Sequence, residues 1–104
     1  MLIEKEKTAK IFKALCDENR VEIIKLLQSG EKCACHISDA LNLSQSKLSY
    51  HMKILVESGL VECWYEGKWT HYKMNTAGFE IAINLLKEFT IVQESSNISC
   101  CNKE

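Results

Sequence analysis

The residues most capable of chemistry in this 104-residue chain are its six cysteines, two of which, Cys33 and Cys35, flank a single alanine just before His36. Soft thiolates at i and i+2 suit soft cations such as As(III), Sb(III), Cd(II) or Zn(II). The spacing carries a mechanical condition. Residues two apart point about 200° away from each other around a regular helix, whereas in an extended segment they share a face. Both sulfurs can grip one ion only if the helix expected from about Cys35 to Leu41 is unwound at its start or has not yet begun. Unwinding would strain whatever packs on that helix. A third donor is expected from Cys100 or Cys101, from the same or another subunit, or from Cys16. His36 reads first as a surface residue, and as a ligand it is the nitrogen alternative that favours Zn(II) or Cd(II). Cys63 alternates within an apolar strand and reads as packing.

Other chemistry is poorly supported. No Cys-x-x-Cys lies on a βαβ pattern, and no nucleophile–base pair has a recognisable spacing, so an enzyme is not expected. The length suits one domain with one modest core. Hydrophobic residues at 46% and charged residues at 26% are the proportions of a globular protein. No apolar run reaches the roughly 20 residues of a membrane span. The opening Met1-Leu2-Ile3-Glu4-Lys5-Glu6-Lys7 lacks the apolar segment of a secretory signal. A cytoplasmic protein with reduced thiols is therefore expected.

Net charge is −1, from 13 Lys+Arg and 14 Asp+Glu. The distribution is uneven. No acidic residue falls between Asp39 and Glu57 or between Glu66 and Glu80, and these stretches carry Lys47, Lys53, Lys68 and Lys73. A phosphate backbone responds to such local charge, because screening acts over about 10 Å.

The elements that must position these residues are legible from period. An amphipathic helix is expected between Glu4 and Cys16, with Ile11, Phe12 and Leu15 inward. Asp17 caps a second helix, from Glu18 to Gln28, with Val21, Ile24 and Leu27 inward and Ile23 and Leu26 flanking. The third carries Ile37, Ala40 and Leu41 inward. After Asn42-Leu43-Ser44, with Ser44 as N-cap and Leu43 and Leu48 spaced as a hydrophobic staple, a fourth helix runs from Gln45 to about Ser58 and stops at Gly59. Val61 to Glu66 and Trp69 to Met74 then read as a hairpin turning at Gly67-Lys68. A fifth helix is expected from Thr76 or Ala77 to Val92. It bears one apolar stripe of Phe79, Ala82, Ile83, Leu86 and Phe89 and another of Ile81, Leu85 and Val92. Such a helix has more to bury than one small domain can cover, so a homodimer through the first and fifth helices is expected. Residues 1–93 are expected to form the domain, and residues 94–104 a polar, mobile tail carrying Cys100 and Cys101.

Two helices joined by a three-residue turn and followed by a hairpin make a winged helix-turn-helix, mostly α with a two-stranded wing. The fourth helix is then the reading helix. Ser44, Gln45, Ser46, Lys47, Ser49, Tyr50, His51 and Lys53 supply donors, acceptors and charge for double-stranded operator DNA, and Lys68 at the wing tip meets the backbone. Lys47 opposes the helix dipole, a penalty that a phosphate at the helix N-terminus reverses. The only arginine is Arg20, so bidentate arginine readout of guanine is unavailable from this helix. Trp64, Tyr65, Trp69 and Tyr72 read as strand packing.

In these blocks the chain resembles the ArsR/SmtB family of metal- and metalloid-responsive bacterial repressors. The matching residues are Phe12-Lys13-Ala14-Leu15-Cys16-Asp17-Glu18-Asn19-Arg20, then the run from Leu43 to Leu55, then Ser58-Gly59-Leu60-Val61. The wing residues Glu66-Gly67-Lys68-Trp69 and His71-Tyr72 complete the set. The resemblance spans roughly residues 8 to 92. It implies a homodimeric repressor that releases operator DNA when As(III) or Sb(III) binds cysteine thiolates, with Cd(II) or Zn(II) as alternative inducers. Ser46 stands where members often have Pro. The Cys33–Cys35 run resembles the arsenical-repressor motif, in which a third cysteine follows one turn later; here that position is Ser38. The family's zinc site on the last helix has no matching residues, since the fifth helix offers only Glu80 and Glu88. A thiol redox or persulfide sensor is the alternative within regulation, and a dithiol oxidoreductase or metal carrier the alternative outside it.

Overall fold

A computed structural model describes residues 5–93. The tail with Cys100 and Cys101 lies outside the described residues. Five helices and three strands follow in the order α1 (Lys5–Ala14), α2 (Glu18–Leu27), β1 (Lys32–Cys33), α3 (Ala34–Leu41), α4 (Gln45–Glu57), β2 (Val61–Glu66), β3 (Trp69–Met74) and α5 (Thr76–Phe89). The winged helix-turn-helix architecture is the expected one. No helix among the described residues is long and apolar enough to cross a membrane.

Each helix start has a local cause. Asp17 Oδ1 accepts from the Asn19 and Arg20 amides at 2.8 and 3.4 Å, so it caps α2. Burial works to raise the Asp17 carboxyl pKa, but those two amides outweigh it and the net direction is down. Ser44 Oγ accepts from the Lys47 amide at 3.2 Å and caps α4. Asn75 Oδ1 accepts from the Gly78 amide at 3.3 Å and caps α5. The turn between α3 and α4 closes through Asn42, which is left-handed at φ 57°, a conformation Asn tolerates.

The core is a single cluster fed by every helix: Ile11, Ile23, Leu27, Ile37, Met52, Leu55 and Leu85, with Leu60 and Val61 from the start of the hairpin. Side-chain phase differs from expectation in places. On α2, Arg20, Ile23, Ile24 and Leu27 are buried while Val21 is exposed. Ala40 on α3 is exposed. Helix α5 ends at Phe89 with Thr90 as C-cap, so Val92 lies beyond the helix. Leu85 is 7% exposed and belongs to this subunit's own core. The exposed apolar stripe is therefore Ile83, Leu86 and Phe89, with Ile81 on the other flank.

The wing has three strands, not two. Its order is β1-β3-β2, all antiparallel. Glu66 pairs with Trp69 across the two-residue turn Gly67-Lys68, and Gly67 takes the positive φ, 62°, that such a turn needs. The extra strand β1 pairs Lys32 with Tyr72 and Cys33 with His71. Two residues are too few to carry a readable alternation; the free edge of β3 makes the strand.

Helix α5 is locked to the end of α4 by backbone contact. A Cβ on Gly78 would overlap the carbonyl oxygen of Gly59. Neither group is a flexible side chain, so the helix itself has to move. Gly78→Ala is expected to destabilise the fold by about 1–3 kcal/mol, the range for overpacking a close contact. Urea unfolding measures this; an unchanged midpoint would show that α5 is not seated as described.

Candidate functional site

Cys33 and Cys35 come together. Cys33 is the N-cap of α3, in extended conformation at φ −83° and ψ 160°, and the helix proper begins at Ala34. The two sulfurs lie 3.2 Å apart. Of the two conditions set by the i, i+2 spacing, the second holds: the helix has not yet begun at Cys33. No unwinding is needed to bring both sulfurs to one ion, and strain by unwinding the first turn is set aside. The thiols share a proton unequally. The Cys35 thiol donates to Cys33 and lowers its pKa, with the His36 amide adding to this, while Cys35 is raised by the same hydrogen bond. Cys33 makes no regular capping hydrogen bond, so the amide effect is one of field at the helix N-terminus.

Ser38, one turn on, is already engaged. Its hydroxyl donates to the Leu43 carbonyl at 2.5 Å, and the Leu43 amide donates back to the Ser38 carbonyl at 3.0 Å. It pins the helix-turn-helix corner. Among the described residues no group of three His, Cys, Asp or Glu side chains is arranged to hold a metal. Cys16 is exposed and Cys63 half-buried, and neither joins the pair. His36 is exposed.

On α4, Ser44, Gln45, Ser46, Lys47, Ser49, Tyr50 and Lys53 are exposed. Lys68 stands exposed at the wing tip. His51 does not share that face: it is 5% exposed. Its Nδ1 lies 2.9 Å from Nη1 of Arg20, and because a guanidinium only donates, the ring nitrogen accepts. Arg20, 4% exposed, also donates from Nε to the Ala14 carbonyl at 3.0 Å and from Nη2 to the Lys13 carbonyl at 3.3 Å. Within the wing, Trp64 stacks on His71 with centroids 5.5 Å apart, and His71 Nε2 meets Glu66 Oε1 at 2.9 Å. Tyr65 and Trp69, expected to pack, are instead exposed. A cleft of about 340 Å³ separates α3, the start of α4 and the wing tip; Cys35, Ser38, Gln45, Lys68 and Trp69 are on its walls.

Comparison with known proteins fits this geometry. The family model for "Bacterial regulatory protein, arsR family" matches residues 17–62. The arsenical resistance operon repressor of Bacillus subtilis (strain 168) is 43% identical over 65 residues, 62% of this chain and 62% of that protein, so the match spans under two thirds of that relative's length. The arsenical resistance operon repressor of Staphylococcus aureus is 36% identical over 91 residues, covering 88% of this chain and 85% of that one. The chain belongs to the ArsR family. A solved relative, the homodimeric winged helix-turn-helix DNA-binding domain of a possible ArsR-family regulator from Mycobacterium bovis, aligns with a TM-score of 0.66 at 26% identity, over 81% of this chain and 80% of that one.

In this ArsR-family chain two features escape a reading by residue type. His51 looks like a donor on a polar helix; its position three residues after Leu48 and four before Leu55 is the signal that turns it inward. Arg20 precedes Ile24 and Leu27 by one and two turns, the same signal on α2.

The buried ring has a pH consequence. Burial lowers the His51 pKa below the ordinary 6.5; Asp17 opposes this, and Arg20 and Lys47 add to it. The unfolded chain therefore binds this proton more readily than the folded one, and stability rises with pH across that window. Stability is expected to fall as pH drops from about 6.5 towards the lowered folded value. His51→Gln, which keeps an acceptor for Arg20, should flatten that fall in urea midpoints measured from pH 7.5 to 5. The Asp17 carboxyl titrates in a more acidic window and leaves the test clean. An equally steep fall in the variant would remove His51 as the cause.

Proposed function

We propose that this protein is a metalloid-responsive transcriptional repressor, acting in the cytoplasm, that binds operator DNA as a homodimer and releases it when a trivalent metalloid, As(III) or Sb(III), binds Cys33 and Cys35. The observation that carries the reading is the 3.2 Å separation of two thiols at the N-cap of α3, one helix away from an exposed polar helix. The names of the Bacillus subtilis and Staphylococcus aureus relatives point the same way. Two thiolates with no nitrogen ligand grouped with them among the described residues favour As(III) or Sb(III) over Zn(II) or Cd(II). Cys100 and Cys101 remain the source proposed for a third thiolate.

Helix α4 enters the major groove, Lys47, Lys53 and Lys68 meet phosphates, and Gln45, Ser46, Ser49 and Tyr50 reach base edges or sugar-phosphate. Dimerisation covers Ile83, Leu86 and Phe89 on α5, with α1 beside it: Phe12 of α1 lies 6.4 Å from Phe89, ring centroid to centroid. An ion at the sulfurs acts at the junction of α3 and β1, and β1 is laddered to the wing strand at His71. The wing, not an unwound helix, is the route to release.

The same sulfur separation favours a second reading, a redox sensor in which the low-pKa Cys33 forms a disulfide. Release of DNA by diamide and not by arsenite would select it.

The test is binding to a site selected from random duplex DNA. Lys47→Ala and Lys53→Ala should each weaken binding and lower the salt slope by about one; slopes equal to wild type would remove α4 as the reading helix. Cys33→Ser and Cys35→Ser should bind DNA normally and no longer be released by arsenite or antimonite. Release that persists in both variants would place sensing elsewhere.

Ile83→Glu with Leu86→Glu should yield a folded monomer in sedimentation, with DNA binding weakened at least tenfold, because paired half-sites need both subunits. A dimer that persists would move the interface off this stripe.

A further inference from the structure

We propose that the wing tip reads DNA by shape. Tyr65 and Trp69 stand on opposite faces of the hairpin beside Lys68 and wedge the minor groove open, so deformable base steps are selected where the chain touches no base edge. This rests on the DNA-binding reading above and adds a specificity that α4 does not supply.

The fold leaves these two rings unused. Tyr65 is 72% and Trp69 53% exposed. The other wing aromatics are engaged: Trp64 stacks on His71 and has Lys73 Nζ 5.9 Å from its ring centroid, and Tyr72 packs against the core. Successive side chains along a strand point to opposite faces, and directly paired residues share a face. Tyr65 pairs with Thr70 and Glu66 with Trp69, so the Tyr65 and Trp69 rings lie on opposite faces, each within three residues of Gly67. Glu66, the acid at this tip, is met by His71 Nε2 at 2.9 Å. Two large exposed rings at one tip, beside a lysine, mark an interaction surface and not a packing element.

Both rings also face α4. The cleft of about 340 Å³ sets Gln45 of α4 across from Lys68 and Trp69. A second cleft, of about 330 Å³, sets Ser49 and Lys53 of α4 across from Tyr65. Each notch thus has a polar side chain of α4 on one wall, an aromatic ring of the wing on the other, and a lysine. A phosphate strand bordering the major groove that α4 enters suits such a notch, and the wing tip then lies beyond that strand, over the minor groove. Size decides what the tip does there. Half the spacing of packed sheets gives each side-chain layer a depth of about 5 Å, so a tip with rings on both faces is about 10 Å across. The minor groove of B-DNA is about 6 Å wide. The tip enters only where the groove yields, and apolar wedges that do so unstack base steps. Pyrimidine–purine steps deform readily, whereas A-tracts are stiff and narrow. Lys68 attracts either sequence equally; the rings discriminate between them.

The test uses the full chain and a duplex selected from random DNA. Its minor-groove segment about five base pairs, half a helical turn, from the centre of the α4 contact is written either TATA or AAAA. The wild-type chain is expected to bind the TATA duplex about fivefold tighter or more at equal salt, and 2-aminopurine in place of an adenine of that segment should brighten on binding. Tyr65→Thr with Trp69→Thr, which keeps residues suited to strands, should erase the preference and leave the salt slope unchanged. Lys68→Ala should lower the slope by about one and keep the preference. Tyr65→Phe with Trp69→Phe retains both rings and should also keep it, which preserves the test if the threonine variant unfolds in urea too early to assay. Equal affinity for the two duplexes, silent 2-aminopurine, a preference that survives the threonine pair, or one lost in the phenylalanine pair overturns the wedge. The DNA-binding reading then still stands if Lys47→Ala lowers the salt slope on both duplexes. If the wild-type chain binds neither duplex, both readings fall.

Discussion

A guanidinium cannot be deprotonated and offers only donors, so burying Arg20 obliges the fold to bring acceptors to it. The acceptors are the carbonyls of Lys13 and Ala14 and the Nδ1 of His51. The carbonyls stand at the end of α1, where that of Lys13 also accepts from the Cys16 amide at 3.1 Å; the imidazole sits in the middle of α4. One side chain on α2 thus ties the end of α1 to the middle of α4. With His51 held inward, a helix turning about 100° per residue puts Ser46, Tyr50 and Lys53 outward. The exposed face of α4 lies opposite that hydrogen bond and the buried Leu48, Met52 and Leu55. The bond also constrains chemistry, because a protonated His51 has no lone pair to accept with and would place a second positive charge beside the first.

Period and capping residues make five helices and the hairpin legible, because each helix has an apolar stripe and most have a side-chain cap at the start: Asp17, Ser44 and Asn75 each accept the amide bonds their types promise. Strand β1 is not legible, since pairing with β3 is a tertiary event that two residues cannot announce. Val21 and Ile23 exchange roles on α2 for a related reason. An amphipathic pattern gives the width of a stripe and leaves its centre to be set by the buried Arg20. At the site, residue type identifies Cys33 and Cys35, and spacing states the geometric condition for their convergence. Which way the condition is met depends on Cys33 adopting an extended N-cap, which the pairing of β1 imposes. His51 is misread by type because a histidine on a polar helix resembles a donor set; its phase with Leu48 and Leu55 and its buried partner Arg20 show otherwise.

The sulfur pair stands where three mechanical elements meet. Cys33 belongs to the edge strand of the wing, Cys35 to the first turn of α3, and Ser38 on that same helix holds the corner into α4 through two hydrogen bonds to Leu43. A cysteine at the N-cap leaves the start of α3 without the oxygen acceptor that Asp17, Ser44 and Asn75 supply to α2, α4 and α5. The hydrogen bond from Cys35, with the His36 amide at that helix end adding to it, instead favours thiolate at Cys33. Weak capping and a reactive sulfur are two aspects of one substitution: the position that gives up helix stability is the one that gains affinity for a soft electrophile.

The contact between Gly59 and Gly78 has a geometric consequence for assembly. Because α5 meets the end of α4 backbone to backbone, no side chain lies between them to rearrange or absorb a shift. In a dimer built on α5, that helix then behaves as a rigid ruler joining two reading helices. The distance between half-sites would be set by where along α5 two copies cross, in steps of the helical rise. A lineage that came to read a differently spaced operator would have to slide its interface along α5 by whole turns; adjusting the joint to α4 would not serve.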